Sequence, residues 1–126
     1  MYDPDLKGIF LRYSLAIYQL TRKFPKETVY FILIDQIIRA SASSGANYRA
    51  SQRGKSVPDF INKLKIVEEE LDETLYWLEY TNGVDSKWIS ETKDLMKEGN
   101  ELLAITVASI KTSRLNSNRP KSKQSL

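Results

Sequence analysis

Between residues 60 and 78 the apolar side chains Phe60, Leu64, Val67, Leu71, Leu75 and Leu78 recur every three or four positions, with Lys, Glu and Asp between them. A strand needs alternation at every second residue. This spacing instead places all six on one side of an α-helix, as the seam by which helices join into bundles. Three further segments repeat the pattern: Leu6, Ile9, Phe10, Tyr13, Ile17 and Leu20; then Tyr30, Phe31, Ile34, Ile37 and Ile38; then Leu95, Met96, Leu102, Leu103, Ile105, Val107 and Ile110. No segment has the strand period and no internal repeat is present. Four amphipathic helices with short connections predict an all-α fold, an antiparallel up-down four-helix bundle.

Local signals set the expected boundaries. Asp3-Pro4-Asp5 opens the first helix with a carboxylate cap and a proline in the first turn. Phe24-Pro25 closes it, because the residue before proline is steered away from helical dihedrals. The second helix is expected from about Glu27 to about Gln52. Inside it, Ala40-Ser41-Ala42-Ser43-Ser44-Gly45-Ala46 is an unbroken run of small residues. Two readings of that run are open: a kink, since Gly and Ser are poor helix formers, or a close approach of two helices. If the approach is functional, the run faces a partner protomer or a ligand.

Arg53 to Pro58 reads as a loop, with Ser56 or Val57 ahead of a third helix that has Pro58 in its first turn. Gly54-Lys55-Ser56 lacks the upstream glycine and the strand of a phosphate-binding loop. The third helix is expected to stop near Thr81-Asn82-Gly83, with Gly83 as a left-handed cap. Trp88 and Ile89 open the fourth, which runs toward Lys111. Gly99 in its middle costs about 1 kcal/mol relative to Ala, so packing there calls for a small residue. Residues 1–115 form the expected bundle, and residues 116–126 a disordered basic tail.

The 126 residues fit one domain, large enough to bury a core without disulfide or metal. Cys and His are both absent. That excludes thiolate nucleophiles, disulfides, Cys- or His-based metal sites and the usual general base near neutral pH. No cofactor or metal is expected. Glu69 and Glu73 share a helical face, but di-metal bundle sites add His to their carboxylates, so a solvated or structural role is expected for them. Tyr76, Trp77 and Tyr80 are expected to pack against neighbouring helices, with base stacking as the alternative. Met1-Tyr2-Asp3-Pro4-Asp5 lacks the order of a signal peptide and no window approaches 18 uninterrupted apolar residues. A cytoplasmic protein with no membrane contact is expected.

Charge is segregated along the chain, although the formal net charge is only +3. Arg39, Arg49, Arg53, Lys55, Lys63 and Lys65 fall between Gln36 and Lys65, opposed by Asp59. Eleven acids, from Glu68 to Glu101, follow against Lys87, Lys93 and Lys97. From Lys111 onward stand Lys111, Arg114, Arg119, Lys121 and Lys123 with no acid. Three readings fit: solvated helix faces with neighbouring-turn pairs, basic and acidic faces of different copies meeting in a head-to-tail ring, or a basic surface for nucleic-acid phosphates.

Ile38-Arg39-Ala40-Ser41-Ala42-Ser43-Ser44-Gly45-Ala46-Asn47-Tyr48-Arg49-Ala50 resembles the second-helix signature of the small bacterial four helix bundle protein family, also called 23S rRNA intervening-sequence proteins. Ser56 to Asp59 with Phe60-Ile61-Asn62-Lys63-Leu64-Lys65-Ile66 resembles that family's loop and third-helix start. Glu68-Glu69-Glu70-Leu71-Asp72-Glu73-Thr74-Leu75-Tyr76-Trp77-Leu78 resembles the continuation. The likeness covers residues 6 to about 113 and rests on the order of the whole block. It implies protomers assembled as a homopentameric, barrel-like ring. The related accessory variability determinant of diversity-generating retroelements uses a similar ring to bind a reverse transcriptase and its RNA. On matching positions the family's basic surface would fall to Arg39, Arg49, Arg53 and Lys55. Many members carry an Asn-Ile-Ala-Glu-Gly-like segment where this chain has Asn47-Tyr48-Arg49-Ala50, which exchanges an acidic position for a basic or neutral one.

The expected function is a non-enzymatic, homo-oligomeric accessory protein that binds RNA or DNA. Arg39, Arg49, Arg53, Lys55 and Lys63 would meet phosphate, with Arg119, Lys121 and Lys123 adding reach. The alternative is a scaffold that docks a partner enzyme, such as a reverse transcriptase, without touching nucleic acid.

Overall fold

In the computed structural model, which describes residues 5–118, the four apolar stripes are four helices. They are α1 (Leu6–Thr21), α2 (Thr28–Ser51), α3 (Val57–Val84) and α4 (Trp88–Ser117), with no strand among the described residues. Consecutive helices run antiparallel. Phe10 in α1 stacks on Tyr48 near the end of α2, while Phe24, just past α1, meets Tyr30 at the start of α2. Ser43 and Arg39 of α2 reach Glu70 and then Glu73 of α3. Thr92 of α4 donates to Asn82 late in α3, and Tyr13 of α1 donates across to the Leu95 carbonyl of α4 at 3.1 Å. The helices therefore close a bundle in the cyclic order α1, α2, α3, α4.

Most of the seam residues fill its axis, but Phe31 and Val107 of the expected stripes are exposed, and Leu33 takes the inward position that the spacing gave to Phe31. Phe10, Tyr13, Ile17, Leu33, Ile37, Leu64, Val67, Leu71, Leu78 and Leu102 are all buried. Threonines share this interior: Thr74, Thr81 and Thr106 each donate to the carbonyl four residues back at 2.8 Å. An unmet buried hydroxyl costs about 1–3 kcal/mol, and among the described residues no buried side-chain polar atom lacks a partner.

The small-residue run of α2 stays helical throughout, so no kink forms. Ala40, Ser41 and Ser44 are completely buried, and Ser41 and Ser44 turn their hydroxyls back onto the carbonyls three residues earlier. A Cβ on Gly45 would stand 3.5 Å from Phe10 Cβ, an ordinary contact. The run is thus a close-approach surface between α1 and α2. Gly99 is the tighter site: a Cβ there would collide with the Tyr13 hydroxyl and lie 2.9 Å from Leu75 Cδ2.

Several ends differ from the expected ones. Asp5 flanks α1 but makes no side-chain cap; its carboxylate pairs with Arg12 at 2.7 Å instead. α1 stops at Thr21, and the next three residues make a turn that delivers Phe24 into a ring cluster with Tyr30 and Trp88. Gly83 is not a left-handed cap; it lies inside α3, which ends where Asp85 becomes extended and accepts the Lys87 N–H at 3.0 Å. α4 runs through Ser117, past the expected boundary at 115 and two turns beyond its last buried residue, Ile110. Asp3 and the tail residues from Arg119 lie outside the described residues. No helix among the described residues is long and apolar enough to cross a membrane.

Candidate nucleic-acid interface

Antiparallel packing gathers at one end of the bundle the start of α1, the end of α2, the loop of residues 52–56, the start of α3 and the end of α4. That end carries Lys7, Arg49, Arg53, Lys55, Lys111 and Arg114 against Asp5 and Asp59. The acids between Glu68 and Glu101 instead run along α3 and α4. Segregation along the chain thereby becomes segregation in space, with a basic end and an acidic flank.

The focus of the basic end is a cleft of about 430 Å³ between α1 and α2. Its floor comes from the small residues of α2: Ala42, Gly45 and Ala46 leave unfilled the space that larger side chains would occupy. Its rim holds Arg49 in the last turn of α2, Arg53 just past the end of that helix, and Lys7 and Leu11 on α1. All three cations are exposed, and among the described residues none forms an ion pair. Lys7 was not a candidate from the sequence. It is 42 positions from Arg49, and the signal that would have found it is the antiparallel pairing of α1 with α2.

The other candidates separate. Lys55 lines a second concavity of about 740 Å³ beside Ser56, Phe60 and the α4 residues Ser113, Asn116 and Ser117. Its side chain is exposed, whereas its backbone N–H donates to Asp59 at 3.3 Å. Lys63 is half-buried, about two turns into α3. Arg119, Lys121 and Lys123 lie outside the described residues.

Arg39 stands away from the basic end and is committed elsewhere. Its guanidinium pairs with Glu73 and, at 3.4 Å, with Glu70, tying α2 to α3. The hydrogen bond to Glu73 is the main cause of the guanidinium's raised basicity, reinforced by both carboxylate charges. Glu73 also accepts from Trp77 Nε1 at 3.2 Å, and Glu70 from Ser43 at 3.0 Å. Phosphate would have to displace two carboxylates to reach Arg39. The candidate site is therefore the cleft and its neighbour Lys55, without Arg39.

The aromatic group on α3 also divides. Trp77 is half-buried against the core, as expected, but Tyr76 and Tyr80 are 54% and 45% exposed. They point outward because the positions that face α2 and α4 are filled by Glu70, Glu73, Leu75 and Leu78.

A family model described as 23S rRNA-intervening sequence protein matches residues 10–108. That span includes Arg49, Arg53, Lys55 and Lys63, while Lys7 precedes it. Among solved structures, one of a protein with unknown function from the S23 ribosomal protein family of Bacteroides thetaiotaomicron VPI-5482 is 30% identical, with a TM-score of 0.76. The alignment covers 83% of this chain and 97% of that one. No curated protein matches.

Proposed function

This chain belongs to the 23S rRNA-intervening sequence protein family, and from that premise we propose that it is a non-enzymatic, self-assembling accessory protein that binds RNA through the basic end of its bundle. The observation that carries the proposal is the α1–α2 cleft, where Lys7, Arg49 and Arg53 converge with no acid partner among the described residues. Unpaired cations on a concave rim are suited to a phosphate backbone, whose binding gains free energy by releasing counterions. Lys55 continues the surface around the end of the bundle. With neither Cys nor His in the chain, the cleft has no ready general base at neutral pH, and positioning of nucleic acid is the role that its chemistry fits.

Self-assembly multiplies this surface. Leu11, Leu15 and Tyr18 form an exposed stripe along α1, 60%, 52% and 45% accessible. On the opposite side of the bundle, Glu68, Glu69, Asp72, Leu103 and Val107, with Lys65 as the one cation, line a shallow groove between α3 and α4. One face is apolar and basic, the other apolar and acidic. A head-to-tail contact between them is heterologous and makes a ring when its rotation closes; a barrel-like homopentamer would carry five clefts on one rim.

The test is binding of a structured RNA to the nuclease-treated protein across a salt series. Affinity is expected to fall steeply with salt, and Arg49→Glu with Arg53→Glu to weaken binding by more than about tenfold while reducing the salt slope by about one per cation removed. Circular dichroism should be unchanged, and Lys26→Glu at the far end of the bundle should leave binding intact. Binding that survives the double charge reversal would refute the cleft. A partner enzyme retained from cell extract after nuclease treatment, with no RNA binding by the protein itself, would favour the scaffold role.

A further inference from the structure

The outer row of α3 presents Asp72, Tyr76 and Tyr80, each one turn from the next and all exposed. The two tyrosine rings are 6.2 Å apart, and Trp77 braces both, at 5.0 Å from Tyr76 and 5.6 Å from Tyr80. Trp77 is anchored in turn by its hydrogen bond to Glu73. Glu69 and Glu79, both exposed, flank the row. Beyond Tyr80 a Cβ on Gly83 would meet nothing within 4 Å, so the surface runs on open past the second ring.

Ring faces attract cations, Arg and Lys above all, and the flanking carboxylates repel phosphate. The occupant is therefore cationic. Positions four apart on a helix rise by about 6 Å, while alternate residues of an extended chain project to one side about 6.6–6.8 Å apart. A segment with a cation at every second residue would thus set one on each rung. This chain contains such a segment, Arg119-Pro120-Lys121-Ser122-Lys123, and Pro120 favours the extended form in its neighbour. Within one copy the match fails on distance. The end of α4 adjoins the start of α3, and Arg119 follows Ser117 by a span of about 7 Å. The nearest rung, Asp72, lies roughly 22 Å along α3 from Val57.

We propose that residues 119–123 of a second copy dock on the Asp72–Tyr76–Tyr80 row, with two cations over the rings and the third against Asp72. The contact rests on the self-assembly proposed above and is independent of the RNA cleft. It assigns the tail cations to a protein surface rather than to phosphate.

Full-length chains grown with light and heavy nitrogen, each with p-benzoylphenylalanine in place of Tyr80, are nuclease-treated, mixed, irradiated and mapped by mass spectrometry. The expected product joins position 80 of one isotope to residues 119–123 of the other. Its yield should fall about tenfold when Arg119, Lys121 and Lys123 are all Ala, fall likewise with Tyr76→Ala, and persist with Tyr76→Phe and with Arg49→Glu plus Arg53→Glu. Placing the cross-linker at position 76 provides a second probe should the first variant misfold. Products confined to one isotope, or leading to any segment other than 119–123, overturn the proposal. A ring without this cross-link would sink the docking alone, whereas a monomer would sink the assembly with it.

Discussion

Two glycines show how differently one residue type behaves inside these helices. Ala is the better helix former by about 1 kcal/mol, so Gly83→Ala, into open space, is expected to stabilise the fold by up to about 1 kcal/mol. A left-handed cap would have given the opposite sign. Gly99→Ala meets the Tyr13 hydroxyl and Leu75; overpacking of about 1–3 kcal/mol exceeds the propensity gain, and net destabilisation is expected. Urea midpoints for the pair check both signs. Tyr13 makes a second prediction. Burial, aided by the Glu98 charge, raises its phenol far above the usual value of about 10. A group raised on folding contributes its full stability below the unfolded value and loses it as pH climbs toward the folded one. Stability should therefore decline above about pH 10, and Tyr13→Phe should flatten that decline at a cost of about 1 kcal/mol for the bond to Leu95. Urea midpoints from neutral pH to pH 11 are the measurement, and an unchanged alkaline slope in the variant would count against Tyr13.

At the level of elements, existence and type were legible where spacing was regular, and ends were legible where a side chain caps them. Ser56 is the clear case: its hydroxyl accepts the Asp59 N–H at 3.2 Å, and the Asp59 carboxylate reaches back to the Lys55 N–H. Ser56→Ala should cost about 1 kcal/mol and Ser56→Asp much less, read as a drop of a few degrees in melting temperature for the alanine variant. The expected stop at Gly83 does not occur, because a glycine's conformation follows from the path of the chain around it and not from glycine itself. The α2 run left two readings open, and the structure decides between them: α2 stays helical through the run, with Phe10 of α1 lying close against Gly45.

For the whole molecule, the consequence is a charge-divided surface, with cations at one end and acids along one flank. If complementary faces join the copies, the mass by light scattering should approach five protomers of 14.5 kDa at physiological salt. It should fall as added salt shortens the screening length from about 8 to about 3 Å. A mass of one protomer at low and high salt alike would remove the ring.

The amino-acid order by itself determined the helical class, the number of helices, most of their core-facing residues and the blocks of like charge, though Leu33 rather than Phe31 faces the core in α2. These are local quantities: a period of three to four residues fixes the face within one helix whatever that helix later meets. Tertiary structure alone decided which charges are free. Arg39 and Arg49 look equivalent in the chain, but α3 brings Glu70 and Glu73 against Arg39, while α1 brings Lys7 toward Arg49. It also decided that Tyr76 and Tyr80 face outward and that Gly99 must yield to a tyrosine from another helix. Each of these depends on the register between helices distant in the chain, which is set by how side chains interlock across the core and is written in no single segment.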